Sequence, residues 1–419
     1  MNKPHTQKRL PALYVPTLYF AEGLPYIIVN VVSVIMYKDF GVSNQVIGLT
    51  SVFMWPWVIK MLWAPFIDIH ASKRAWVLYT QLAIGVLLLG LGAALHLSAF
   101  MSVSVIIFMV IAFVSASHDI AIDGYYMLAL DESKQALYIG VRSTFYRIAV
   151  IFGSGALVVL AGRWQTALQN TVTSWQMVFS LAGAIFVAAF LFHRFYLPYP
   201  AADGVARDRA QRESFLTVFK TYFQQKRIVP VIIFILVYRF GEAMLEKMGL
   251  VFLKDAVAAG GLGLSNETVG LVKGTVGVIC LLAGGLVGGW FISRFGLKKC
   301  IFPMALMLNL PDVVYIYMSL YHPPLAVIYG LIALEQFGYG VGFTAFMVFL
   351  MYYARGRYKT SHYAISTGIM ALGMMIPGML SGFLQAALGY THFFITVLFF
   401  TIPGMIMVFL LPLDLQRKE

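Results

Sequence analysis

Apolar stretches of about twenty residues or more recur twelve times along the 419-residue chain, from 12–37 at the start to 392–412 at the end. A helix needs about 20 apolar residues to cross ~30 Å of hydrocarbon. Inside lipid every backbone N–H and C=O must find a partner within the protein, which leaves helices or a closed barrel. Stretches of this length specify helices. The expected fold class is therefore an all-α polytopic membrane protein with twelve transmembrane helices. Composition agrees: 60% of the residues are hydrophobic and 11% charged, against about 25% charged in a soluble domain. The head MNKPHTQKRL has no small-residue cleavage site behind a short apolar core, so the first stretch reads as a retained helix rather than a signal peptide.

A net charge of +12 could signal nucleic acid, but its distribution points to a bilayer. With the N-terminus placed in the cytoplasm, 21 of the 30 Lys and Arg fall on cytoplasmic segments, and three, Lys38, Arg163 and Lys254, fall outside. This is the positive-inside bias, and it implies both termini in the cytoplasm. No basic face carries interleaved aromatics, so no nucleic-acid partner is expected. Cys280 and Cys300 are the only cysteines. They form no metal or disulfide framework, and neither a metal nor a cofactor is expected.

The longest polar segment is near the middle and contains PYPAADGVARDRAQRES, a linker by composition. It divides the chain into an N-terminal six-helix half (1–197), a cytoplasmic linker (198–227) and a C-terminal six-helix half (228–419). The halves share a signature. GVSNQVIGL opens the second span at 41–49 and GLSNETVGL the eighth at 263–271. Ser43 and Ser265 are the natural N-caps. One helix later each half reaches a basic turn, around Lys73 and Arg74 in the first and Lys298 and Lys299 in the second.

A six-plus-six parallel repeat is the arrangement of major facilitator transporters. The first basic turn resembles their loop between helices two and three, with Asp68 at the acidic position and Lys73 and Arg74 at the basic ones. Ser293 replaces the aspartate in the second half. The stretches LYFAEGLPY (18–26), KMLWAPFID (60–68) and SHDIAIDG (117–124) resemble the AmpG and acetyl-CoA transporter family. The resemblance implies a monomeric permease of the bacterial inner membrane, moving a small anionic or peptide-bearing solute, most plausibly a muropeptide. A siderophore importer of the same family is the alternative, and acetyl-CoA is less favoured. The longer AmpG permeases have two more spans. No nucleotide-binding motif is present, so an ion gradient, expected to be protons, would supply the energy.

The resemblance also implies that the first, fourth, seventh and tenth helices line a central cavity. Seven acids fall inside spans: Glu22, Asp119, Asp123, Glu242, Glu246, Asp312 and Glu335. All but Asp312 lie on those four helices, as expected for charges that must face protein or water. Asp312 has only a packing role beside Pro311 to recommend it. Antiparallel neighbours meet where residues are equidistant from the loop between them. This matches Asp123 with Arg142, Asp119 with Arg147, Glu22 with Lys60 and Glu246 with Lys273. Asp123 and Arg142 read as structural or gating charge, together with Asp68, Lys73 and Arg74. Glu22, Lys60, Asp119, Arg147, Arg239, Glu242 and Glu335 form the candidate substrate and proton pathway. Arg239 and Glu242 are spaced for an i, i+3 pair, and Glu335 has no evident partner, which favours it as proton carrier. Each acid could instead be a packing residue.

A contrasting class, a membrane-embedded acyltransferase using His118 and Asp119, is disfavoured. Adjacent helical residues point ~100° apart, and no matching nucleophile motif exists. GGLVGG (284–289) lies inside an apolar span and reads as close helix packing.

Overall fold

The computed structural model describes residues 10–69, 71–200, 203, 215–354 and 359–413. The secondary structure of the described residues is helical, and ten of their helices are long and apolar enough to cross a membrane. Two features separate this figure from the twelve stretches counted in the sequence. Residues 44–69 form no single rod: helices Asn44–Leu49, Trp55–Ile59 and Ala64–Ile69 are joined through 3-10 turns at Thr50–Met54 and Lys60–Leu62. Pro56 and Pro65 sit in this run, and each removes a backbone donor. At the other end, Lys359–Val408 runs as one helix except at Gly389, whose φ of 70° and ψ of 170° break it. That conformation is cheap only for glycine.

Helix ends are set by local chemistry. Ser43 and Ser265 cap Asn44–Leu49 and Asn266–Leu271, accepting from the N–H of Val46 and Thr268. Asp131 caps Glu132–Ile151 by accepting from Lys134 N–H at 2.9 Å. The Lys134 ammonium, 2.6 Å away, holds the Asp131 carboxyl below its ordinary range. The basic turn is tied down similarly. Asp203 accepts from the N–H groups of Lys73 and Arg74 at 2.6 and 3.0 Å, at the start of helix Lys73–Ala94. Arg74 donates to the carbonyls of Arg194 and Leu197 and lies over the Tyr199 ring.

The chain divides into two compact units; one border, between 207 and 208, falls in the middle linker, and the others fall within the stretch before it. The first holds the chain to Val29, Leu62–Gly153 and Trp164–Arg207; the second holds Asn30–Met61, Ser154–Arg163 and the chain from Asp208 onward. In the first unit Tyr14, Tyr19, Tyr125 and Tyr126 pack with Val15, Leu18, Val77 and Ile122. His118 is buried there and bonds Thr80 at 2.7 Å, and His193 bridges Thr17 and Gln81 at 2.9 Å each. In the second unit, Tyr222 on the short helix Phe215–Phe223 bonds Ser366 at 2.9 Å, so part of the expected linker is a docked helix.

Small residues let the second unit's helices close up. A Cβ on Gly284 would fall 2.0 Å from the Phe337 carbonyl, and one on Gly340 2.0 Å from that of Leu281. The GGLVGG segment is thus a packing seam, the means by which membrane helices approach closely. Gly338 is as tight against Met307, pinning helix Leu325–Tyr353 to Leu297–Asn309. Among the described residues three π segments interrupt long helices, at Ile28–Val32, Phe152–Leu157 and Val272–Gly277. Within the second unit Gly274 meets Ser154 so closely that a Cβ would come 2.0 Å from its carbonyl oxygen.

Candidate functional site

Charged side chains gather at three places, one in the first unit and two in the second. In the first unit, Asp123 on Phe100–Ala129 and Arg142 on Glu132–Ile151 meet at 3.0 Å, as their equal distances from the intervening loop require. Tyr19 donates to the same carboxylate oxygen at 2.9 Å, and the guanidinium covers the Tyr19 ring at 4.5 Å. The guanidinium also lies 5.4 Å from the Tyr126 ring. A carboxylate, a guanidinium and two electron-rich rings balance one another. Glu22 is half-buried on the same helix as Tyr19. Asp119 is half-buried and Arg147 exposed, and no ion pair joins them among the described residues. Arg147 therefore does not repeat the Asp123–Arg142 rung. Lys60 is half-buried in the second unit. The side chain of Asp68 lies outside the described residues.

The second group lies within the second unit and was missed in the sequence. Lys38 pairs with Asp255, and Lys254 pairs with Asp39 at 2.5 Å. Asn44 donates to Asp255 at 3.1 Å and to Gln385 at 2.7 Å, and accepts from Lys38 at 2.8 Å. Asn266 makes the corresponding contacts with Asp39 and Lys254. Each Lys-Asp pair thus crosses to the other, and each Asn of the repeated Ser-Asn joins the crossing. The clue was present: YKDFGVSN and LKDAVAAGGLGLSN both place Lys-Asp ahead of Ser-Asn. These lysines served only to fix orientation in the sequence, and their neighbouring aspartates were passed over.

The third group corrects several sequence-based pairings. Lys273 bonds Glu335 at 3.1 Å, not Glu246, so Glu335 does have a cation. Lys273 also donates to Tyr315 at 3.1 Å, and Gln336 donates to both Glu335 oxygens at 2.8 and 2.9 Å. Arg239 approaches Glu246 at 3.9 Å and donates to Tyr339; the expected Arg239–Glu242 pair is absent among the described ion pairs. Glu242, Asp312 and Glu335 are each 1–2% exposed, and one oxygen from each lies within 4.8 Å of the others. Asp312, expected merely to pack, is part of this cluster. Pro311 and the 3-10 turn Leu310–Asp312 interrupt the helical stretch around it.

The scaffold matches known proteins. The model of the Major Facilitator Superfamily matches residues 17–245, more than half of the chain. The chain belongs to the major facilitator superfamily. It is a multi-pass membrane transporter homologous to AmpG permeases. Over 401 residues it is 22% identical to an anhydromuropeptide permease of Escherichia coli K12, covering 93% of this chain and 77% of that protein. A Rickettsia prowazekii protein named as an AmpG 2 transporter is also 22% identical, over 96% of this chain and 95% of its own. A bacterial homologue of the human lysosomal transporter Spinster, solved inward-facing and unoccupied, matches with a TM-score of 0.74. It is 14% identical and covers 98% of this chain and 97% of its own, a likeness of fold.

The AmpG resemblance carried by LYFAEGLPY, KMLWAPFID and SHDIAIDG thus extends over most of the chain. His118 engages Thr80, and the comparisons place the chain among transporters, so the acyltransferase reading falls away. A cavity of about 460 Å³ in the first unit is lined by apolar residues such as Phe20, Leu24, Phe145 and Phe186, with Thr17 at one side. None of the charged groups above lines it.

Proposed function

We propose that the chain is a proton-driven permease of the bacterial inner membrane that moves a muropeptide. The observation that carries this is its 22% identity with the anhydromuropeptide permease across 93% of the chain. The relatives lend the siderophore reading no support. In this reading the ten long helices, the broken run at 44–69 and the break at Gly389 resolve into twelve spans, six in 1–197 and six in 228–419, joined by a cytoplasmic linker at 198–227. Both termini face the cytoplasm, and the monomer is the working unit.

Each charged group has a part in this reading. Glu22, Lys60, Asp119 and Arg147 form the solute-facing polar surface of the N-terminal half. Asp123 and Arg142 hold the hairpin between their helices, and Asp68, Lys73 and Arg74 shape the cytoplasmic turn. Arg239, Glu242 and Glu335 belong to the proton pathway. The crossed Lys-Asp pairs close the outer end, since the positive-inside assignment puts Lys38 and Lys254 outside. Alternating access needs a closure that can be made and broken, and hydrogen-bonded charge pairs meet that need better than fused apolar packing.

The test is counterflow in proteoliposomes. Vesicles preloaded with unlabelled anhydromuropeptide should transiently accumulate labelled anhydromuropeptide, and a ferric siderophore in the same assay should not compete. Absence of counterflow with the muropeptide would reject the substrate.

A further inference from the structure

The Glu242, Asp312 and Glu335 carboxylates are not equivalent. Glu335 is answered by Lys273 at 3.1 Å and by two hydrogen bonds from Gln336. Glu242 Oε2 and both oxygens of Asp312 accept no hydrogen bond, although both residues are only 2% exposed. Two other charged or titratable groups around them have contacts of their own. Arg239 turns to Glu246 and Tyr339, and Tyr315 accepts from Lys273. Buried polar atoms left without a partner are costly.

We propose that Glu242 and Asp312 form a binding site for an exchangeable monovalent cation, a proton or a sodium ion, beside the Lys273–Glu335 pair. Both candidates supply the same thing, one positive charge to oxygen ligands in a dry pocket. A divalent ion fits poorly, because it would stand beside the fixed Lys273 ammonium. The site is built from separate helical segments. Glu242 comes from Phe240–Lys254, Asp312 from the turn at Pro311 and Glu335 from Leu325–Tyr353. Lys273 lies on the π segment Val272–Gly277, a distortion that recurs at functional sites. A small shift of Lys273 from Glu335 toward Asp312 would replace the bound cation with an internal one. Cation release and helix movement would then be one event. The proposal deepens the reading of the chain as an ion-driven transporter, but it concerns binding and stands whatever the solute.

The test uses the purified full-length protein in detergent, with sodium and protons as probes. One arm compares the thermal unfolding midpoint in sodium chloride and in choline chloride. The other follows, by infrared difference spectroscopy during a pH change, the band of a protonated carboxylic acid. A sodium site raises the midpoint in sodium; a proton site gives the infrared band; either result supports the proposal. In both cases Asp312→Asn and Glu242→Gln should weaken the response at least tenfold on the concentration scale. Glu335→Gln should do the same, although it leaves both proposed ligands intact, because the released Lys273 takes the cation's place. A merely structural Glu335 would not behave in this way. The proposal is overturned if the folded variants keep the wild-type response, or if calcium protects and sodium and protons do nothing. If the variants do not fold, the wild-type protein decides: neither a sodium shift nor a carboxylic acid band would overturn it. Failed muropeptide counterflow with an intact cation response would reject the substrate alone.

Discussion

The charge group of the first unit and the acid cluster of the second are made from similar side chains and arranged to opposite effect. At Asp123 one carboxylate meets one guanidinium in direct contact, with Tyr19 and Tyr126 beside them, and the side chains of Arg142 and Asp123 are 32% and 40% exposed. Around Asp312 there are three carboxylates for one ammonium at contact distance, and the acids are 1–2% exposed. A balanced, half-exposed pair is content as it is and holds two helices in register. An unbalanced, buried group is incomplete without something that comes and goes. The difference suggests where to look for ion exchange and where to look for architecture. The crossed pairs Lys38–Asp255 and Lys254–Asp39 complete the series, being balanced and largely buried.

The largest effect is expected from Lys273→Met, which strips the acid cluster of its contact cation. Breaking a buried pair in this way costs about 3–5 kcal/mol. The thermal midpoint and the yield of folded protein should fall sharply. A midpoint equal to wild type would mean that the acid cluster does not depend on Lys273, and the contrast between the groups would collapse.

The crossed pairs should come next. Lys38→Asp or Asp255→Lys alone sets like charges together at a site where the side chains are 16% and 10% exposed, and each should cost about 2–4 kcal/mol. The double exchange should recover more than half of that loss in the same melting assay. No recovery would show that the partners are adjacent without being coupled.

Asp123→Ala and Arg142→Ala should each cost less, about 1 kcal/mol, because solvent reaches both side chains and screens the pair. The double variant should lose less than the two single losses added. Strict additivity in a double-mutant cycle would remove the pair's claim to be a unit. Smallest are the caps: Ser265→Ala should cost about 0.5–1 kcal/mol, and Ser43→Ala somewhat less, because its bond to Val46 N–H is long at 3.5 Å.

The helical class could be read from apolar stretch length alone, and the Asp123–Arg142 contact from counting outward from a loop. That counting assumes two straight neighbouring rods. It failed for Lys273 because π segment Val272–Gly277 shifts the register, and helix Phe240–Lys254 begins anew after Arg239, whose φ of −111° and ψ of 20° are not helical. It failed for Asp119 because Arg147, five residues beyond Arg142, is exposed. Asp312 escaped notice because a proline beside an acid suggests a local bend, whereas its importance comes from two helices distant in sequence. The crossed Lys-Asp pairs needed a comparison of the halves that extended a few residues ahead of the Ser-Asn repeat. What local pattern conveys is the class of each segment; which buried charges meet is decided by breaks that only the packed chain reveals.

The central claim, that the unbalanced acids couple ion movement to solute movement, is tested most directly in vesicles carrying the double variant Glu242→Gln with Asp312→Asn. Labelled anhydromuropeptide uptake would be followed under an imposed proton gradient, under a sodium gradient and as exchange without any ion gradient. Wild type should accumulate solute under one of the two gradients, and the double variant should exchange solute at a comparable rate yet accumulate none. Accumulation by the double variant at the wild-type level would contradict the account.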